Sequence, residues 1–124
     1  MLSEKKLKNI LEQELQKNSN IIFGYLFGSY ADGSYNDRSD IDIALYLVDN
    51  SFDAQLSISF ELSRTLKKNI DLTVLNTIKN LYLSEDILNK GIVIKDSDKR
   101  IDFELKKHHQ FIDFIEFKKR IYVA

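Results

Sequence analysis

The chain has 124 residues, with 18 basic and 19 acidic side chains and neither cysteine nor proline. A chain of this length buries about two-thirds of its unfolded surface, so residues 1–124 are predicted to form one domain without disulfides or structural metals. The balanced charge provides no global field that would attract nucleic acid, so we expect no direct nucleic-acid partner. We also expect a cytoplasmic protein without membrane contact, because no apolar run reaches the roughly 20 residues that span a bilayer and no signal peptide is evident.

The first two predicted elements are a helix over residues 3–17 and a strand over residues 21–27. In the helix, apolar residues recur at spacings of three and four against a charged face, and Ser3 is a plausible N-cap. The strand contains Gly24. A glycine inside a strand often marks a bulge or the close approach of another backbone.

A second strand, over residues 40–48, begins with two aspartates. Alternation along a strand places Asp40 and Asp42 on one face and the intervening isoleucine on the other. Two adjacent carboxylates repel and raise each other's pKa unless a cation lies between them. Oxygen ligands of this kind suit a hard divalent ion, so the pair predicts a magnesium site.

The turn between these two strands has the features of a phosphate site. Gly28 and Ser29 end the first strand, and Tyr30 to Gly33 are predicted to form a helical turn. Glycine lets an anion approach the backbone, while the serine hydroxyl and free amides donate to phosphate oxygens. The sequence therefore predicts a phosphate cradle facing a carboxylate pair; the alternative is a hairpin with a polar loop and a solvated acidic edge.

Residues 52–68 suit either a strand or a helix, and their length without a turn signal favours the helix. Its apolar residues fall on two sides, which predicts burial on both. A third strand follows at residues 70–75 and contains Asp71. An aspartate in an apolar strand is unfavourable. It is either at an exposed edge, in a salt bridge with Lys67 or Lys68, or a third carboxylate of the same site, and we favour the third interpretation.

The rest of the chain is predicted to form a helix over residues 78–90, a short strand over residues 92–95 and a final helix over residues 98–122. Ser84 is a possible cap and Gly91 the stop of the first helix. The final helix has two opposed apolar stripes, formed by Ile101, Leu105, His108, Ile112 and Ile115 and by Phe103, Phe114, Phe117 and Ile121. One stripe covers the sheet, and the other is predicted to contact another subunit, in a homo- or hetero-oligomer.

We assign no catalytic role to His108 and His109, which diverge on a helix and lack an evident carboxylate partner.

The pattern Gly-Ser, ten residues, Asp-x-Asp resembles the signature of the nucleotidyltransferase superfamily that includes DNA polymerase β. With Asp71 on a later strand and the short length, the chain is similar to the minimal nucleotidyltransferases (MNT), which include MntA-type antitoxins paired with HEPN ribonuclease toxins. The resemblance implies an α/β nucleotidyltransferase fold, with a small mixed sheet flanked by helices and a C-terminal helix. It covers residues 3–95 in element order.

The same resemblance implies roles for individual residues. Gly28 and Ser29 would bind the nucleotide triphosphate, Asp40 and Asp42 would bind two magnesium ions, and Asp71 would complete the metal site and help to activate the acceptor hydroxyl. The sequence departs from the pattern at Asp32, where many relatives have arginine. We assign Arg38 to nucleotide binding in its place, with Lys67 and Lys68 as alternatives.

The implied reaction is transfer of AMP from ATP to a tyrosine of a HEPN toxin, which neutralises the toxin. A phosphoanhydride is protected by its negative charge, so the catalyst must neutralise that charge and align the attack. Two other functions are considered. The protein could be a binding antitoxin without catalysis, which Asp32 supports, or a nucleotidyltransferase acting on a small molecule, whose relatives use an additional helical domain.

Overall fold

A computed structural model describes residues 2–122. The helices and strands follow in the order α1 (Glu4–Gln16), β1 (Ile21–Phe27), α2 (Ser29–Asp32), β2 (Ile41–Leu47), α3 (Phe52–Leu66), β3 (Ile70–Val74), α4 (Leu81–Lys90), β4 (Ile92–Lys95) and α5 (Asp98–Tyr122). A 3-10 turn, Leu75–Thr77, follows β3. The predicted elements are all present, with the second strand one residue shorter at each end. In this part of the chain no helix is both long and apolar enough to cross a membrane.

The four strands form one mixed sheet in the order β3-β2-β1-β4. β1 pairs antiparallel with β2 and β4, whereas β2 and β3 pair in parallel. The predicted fold class, a small mixed sheet flanked by helices with a C-terminal helix, is therefore confirmed. Gly24 lies at an irregularity in the β1–β4 register. A Cβ there would overlap the Leu45 side chain and lie 3.0 Å from the Ala44 carbonyl oxygen, so β2 approaches the Gly24 backbone closely.

Helices cover both faces of the sheet. α1 and α3 pack on the face that carries the alternating apolar residues of β2, and each contributes three buried side chains at helical spacing: Leu7, Leu11, Leu15, Ile58, Leu62 and Leu66. On the other face, Ile87 of α4 and Phe103 of α5 pack against Phe23, Tyr25 and Ala44. Asp42 shares this second face because it alternates with the buried isoleucines of β2.

Three details of the predicted helices were wrong. α3 is buried on one side alone, because the sheet covers one side and Phe52, Leu56 and Phe60 remain more than half exposed on the other. The cap of α4 is Asn80, whose side chain accepts from the Leu83 amide, whereas Ser84 lies buried inside the helix.

The third correction concerns the final helix and its histidine. α5 contacts the sheet through Phe103, while Ile101, Leu105 and Ile112 of the first stripe are exposed. His108 does have a carboxylate partner, since its Nδ1 lies 2.8 Å from Glu85 Oε1. Glu85 is on α4, so this contact, like that of Tyr82 with Phe111 and Phe114, holds α5 against α4. The sequence did not reveal it because the two residues are 23 positions apart.

Asn76 fastens the segment after β3 to the end of β2. Its side chain accepts from the Leu47 amide at 2.9 Å and donates to the Leu47 carbonyl at 2.8 Å, which extends the ladder where β3 ends.

We expect Asn76→Ala to lower the free energy of unfolding by about 1–3 kcal/mol, because both backbone groups lose their partner in a half-buried position. Urea unfolding measures this. The control is Asn9→Ala, at an exposed position of α1; an equal loss in both variants would contradict the assignment.

Candidate active site

Gly28 brings the end of β1 against the acidic residues of β2. Its backbone has φ 71° and ψ −148°, a conformation that favours glycine. A Cβ at this position would overlap the Asp42 carboxylate. The turn therefore requires glycine for two reasons, and it places the backbone that precedes α2 directly beside Asp42.

α2 starts at Ser29, immediately after this turn. The Gly28 carbonyl accepts from the Ala31 and Asp32 amides at 3.0 and 3.1 Å. The first amides of a helix have no partner within the helix, so those at the start of α2 are available to an anion. Ser29 is half-buried, and its hydroxyl lies in the same turn. These amides and the Ser29 hydroxyl are the donors that the predicted phosphate cradle would use, and the cradle stays a prediction.

The parallel pairing of β2 with β3 brings the predicted carboxylates together. Asp42 is in register with Asp71 on one side and with Phe27 on the other. Asp42 is half-buried, whereas Asp71 is exposed. Asp40 lies one residue before β2, is exposed, and by alternation projects to the same side as Asp42.

The electrostatics of Asp42 indicate an uncompensated negative charge. Burial, followed by the neighbouring carboxylates of Asp71 and Asp40, raises the pKa of Asp42 from 3.8 to about 6. In the described part of the chain, none of the three carboxylates forms a salt bridge. An all-oxygen donor set with excess negative charge fits a hard divalent cation.

The three carboxylates are not yet a complete metal site. Within residues 2–122, no three acidic, histidine or cysteine side chains are grouped closely enough to hold a metal ion. Asp42 and Asp71 are fixed by the register of their strands, whereas Asp40 precedes β2. The exposed Asp40 side chain is therefore the member that would have to turn inward when a cation binds.

The candidate cations of the site lie in a pocket that Asp32 does not line. Arg38 shares a pocket of about 300 Å³ with Asp40, Lys67 and Lys68. Asp32 lies at the end of α2, where hydrogen bonds from Ser34 hold its pKa below the usual range, so it carries a negative charge at neutral pH. The structure places the candidate cations beside Asp40, which the sequence alone did not establish.

Lys68 also holds the backbone that lines this pocket, a role that was not predicted from the sequence. Its ammonium donates to the backbone carbonyl of Asp37 at 2.9 Å and lies 3.4 Å from that of Ser39. The sequence identified Lys68 as a cation near the third strand, but no sequence signal connects it to carbonyls about 30 residues earlier.

Removal of charge at Asp42 is expected to stabilise the metal-free protein. Because its folded pKa is raised, Asp42 contributes stability below about pH 4, and this contribution is lost as pH rises through about 6. We expect Asp42→Asn to raise the free energy of unfolding at pH 7.5 by about 1–2 kcal/mol after solvent screening, and to have little effect at pH 4.

Thermal unfolding in EDTA at the two pH values measures this effect. Asp113→Asn, on the exposed side of α5, is the control and should change neither value. Added Mg²⁺ should raise the unfolding temperature of the wild type more than that of Asp42→Asn. A variant that is less stable than the wild type at pH 7.5 without metal would show that repulsion does not govern this position.

Comparison with known proteins identifies the family and the fold of this chain. The family described as Polymerase beta, Nucleotidyltransferase matches residues 5–100. Comparison with curated protein sequences gives no match. Among solved structures, the chain is similar to a chain of an MntA–HpeT toxin-antitoxin complex (21% identity, 94% of each chain, TM-score 0.76) and to one of a toxin-antitoxin complex with AMP-PNP (23% identity, 98% of this chain and 96% of the other, TM-score 0.74).

A third similar structure is the tri-AMPylated HEPN toxin of Shewanella oneidensis in complex with an MNT antitoxin, with 20% identity over 97% of this chain and 95% of the other and a TM-score of 0.72. At these identities the likeness of the structures concerns the fold. The family match spans more than three-quarters of the chain and includes Gly28, Ser29 and all three aspartates. The chain therefore belongs to the polymerase beta nucleotidyltransferase family.

Proposed function

We propose that this protein is an antitoxin that transfers AMP from ATP to a tyrosine hydroxyl of a HEPN ribonuclease toxin in the cytoplasm and thereby neutralises the toxin. The observation that carries the proposal is the position of the Gly28 backbone against Asp42, which is itself in register with Asp71. A phosphate turn and a carboxylate pair meet at one point, as nucleotidyl transfer requires. The similarity to chains from toxin-antitoxin complexes supports the choice of acceptor.

In the proposed reaction, the Ser29 hydroxyl and the first amides of α2 bind the β- and γ-phosphates of ATP, and Arg38 neutralises part of their charge. The acceptor oxygen attacks the α-phosphorus and forms the new O–P bond. The bond to the β-phosphate oxygen breaks, and pyrophosphate leaves with its electron pair. Asp71, the exposed carboxylate, accepts the proton of the hydroxyl.

Asp40, Asp42 and Asp71 would hold two Mg²⁺ ions. Bound there, the ions supply charge neutralisation at the phosphates and lower the pKa of the acceptor hydroxyl. The protein's own contribution is geometric, because the strand register fixes two carboxylates before substrate arrives. Positioning of this kind lowers the entropy lost in reaching the transition state.

Contact with the toxin is proposed to involve α5, residues 98–122. The side chains of Ile101, Leu105 and Ile112 on this helix are 52%, 56% and 43% exposed. They repeat at helical spacing, and an apolar stripe of this kind is typical of a surface that another chain covers. The resulting assembly is a hetero-oligomer with the toxin.

A second candidate function is neutralisation by binding alone. The observation that favours it is Asp32, whose negative charge at the end of α2 repels phosphates from the same turn that would cradle them. In this alternative, the acidic residues would be a remnant, and α5 would occlude the toxin.

Co-expression with the product of the neighbouring gene, as the candidate toxin, followed by intact-mass analysis of that product, tests the proposal. With wild-type protein we expect one or more AMP increments on the toxin. Asp40→Ala/Asp42→Ala should abolish them, because the cation site loses two of three carboxylates. Asp53→Asn, at an exposed position of α3 away from the proposed site and from α5, serves as the control and should leave them intact. An unmodified toxin in a tight complex with both wild type and double mutant would instead establish the binding antitoxin.

Gly28→Ala tests the phosphate turn separately. The new Cβ would overlap the Asp42 carboxylate and is strained at a positive φ, so the turn must move. We expect ATP affinity to fall by about tenfold or more, equivalent to about 1.4 kcal/mol. Calorimetric titration with a non-hydrolysable ATP analogue measures this. Unchanged affinity with a folded protein would place the phosphates elsewhere.

A further inference from the structure

The segment between α2 and β2, residues 33–40, carries Arg38 and Asp40 without regular secondary structure. It forms a compact turn centred on Asn36. The Asn36 side-chain oxygen accepts from the Arg38 amide at 2.8 Å, its carbonyl accepts from the Ser39 amide at 3.1 Å, and its own amide donates to Ser39 Oγ at 2.8 Å. These bonds define the shape of the turn, but they do not fix its place relative to β3.

The end of the segment is tied to the residues before β3 by the Ile41 amide, which donates to the Asn69 carbonyl at 3.0 Å. Lys68 adds a connection for the turn itself. Its Nζ donates to the Asp37 carbonyl at 2.9 Å and lies 3.4 Å from the Ser39 carbonyl. The second carbonyl belongs to the peptide unit that leads into Asp40. Hydrogen bonds from an ammonium group are about twice as strong as neutral ones, so this one side chain ties the turn to the segment that leads into β3.

Lys68 is itself held from both ends. Its backbone carbonyl accepts from Ser63 Oγ at 2.8 Å, after α3 ends with Lys67 in the left-handed conformation, φ 55°. Its Nζ lies 5.9 Å from the centroid of the Tyr30 ring, which stacks on Tyr35 at 4.4 Å. The side chain is therefore already ordered in the free protein, as support for a functional site requires.

We propose that Lys68 is a positioning residue for nucleotidyl transfer. Its ammonium fixes the turn of residues 36–39, so that Asp40, which directly precedes β2, lies where its side chain can turn inward and complete the cation site with Asp42 and Asp71. This inference rests on the proposed function. In this role the Lys68 ammonium is directed to the Asp37 and Ser39 carbonyls, so we assign phosphate binding to Arg38 and Lys67 of the shared pocket.

Hydrogen exchange of the metal-free protein, followed by mass spectrometry, tests the positioning without any need for activity. Lys68→Met should speed exchange in residues 34–41 by about tenfold, since one hydrogen bond from a charged group contributes about that factor. Lys67→Met is the matched control, with the same charge removed one residue earlier, and should leave this segment unchanged. Lys68→Arg retains a cation with several donors and should restore most of the protection.

The response to Mg²⁺ connects the turn to the cation site. In thermal unfolding, Lys68→Met should raise the Mg²⁺ concentration needed for half of the stabilisation by about fivefold or more. Lys79→Met, which removes an exposed lysine outside the pocket, should not. In an Asp40→Asn background, Lys68→Met should add no further change, because residues that act through one group are not additive. In assays with the toxin, the KM for ATP should stay near the wild-type value while kcat falls.

Wild-type exchange in residues 34–41 of Lys68→Met would overturn the proposal, as would faster exchange throughout the protein, which indicates general destabilisation. A loosened turn with an unchanged Mg²⁺ response would also overturn it. If the wild type shows no response to Mg²⁺, the proposed function fails instead, and this outcome is distinguishable because the exchange experiment uses no metal.

Discussion

The register between β2 and β3 is the constraint on which the site depends. It sets Asp42 directly against Asp71, and a slip of one residue would turn one of the two carboxylates to the opposite face, into the apolar layer of α1 and α3. The apolar alternation of β2 prevents such a slip, because Ile41, Ile43 and Leu45 are fully buried. The hydrophobic core thus holds two like charges together that would otherwise separate.

The cost of this arrangement is visible in Asp42, whose pKa is raised by burial and by its acidic neighbours. The core supplies the free energy that keeps the charges adjacent, and a divalent cation would remove the repulsion. Under the proposed function, binding of a cation would therefore be coupled to the stability of this fold. The strands would then hold the carboxylates in position before the cation binds, and the cation would remove the repulsion between them.

The segments that flank β2 and β3 are held in place by single residues more than by regular secondary structure. Gly28 lets β1 end against Asp42, Lys68 holds the turn that leads into Asp40, and Asn76 fastens the segment that follows β3. Each contacts backbone or carboxylate atoms of another element. The catalytic geometry proposed here is thus distributed over a few polar contacts around a rigid pair of strands.

The local pattern of the sequence determined the elements, the face that carries Asp40 and Asp42, and the glycine turn, because strand alternation and helical spacing act over neighbouring residues. The same local patterns indicated Gly28 and Asp71 as candidate residues, and the family resemblance added their expected roles. Contacts between distant segments were decided by the tertiary structure alone. They include the anchor formed by Lys68, the partner of His108, and the exposed side of α3. Periodicity reveals which residues share a face, but it does not reveal what that face meets, because this depends on how the whole chain packs.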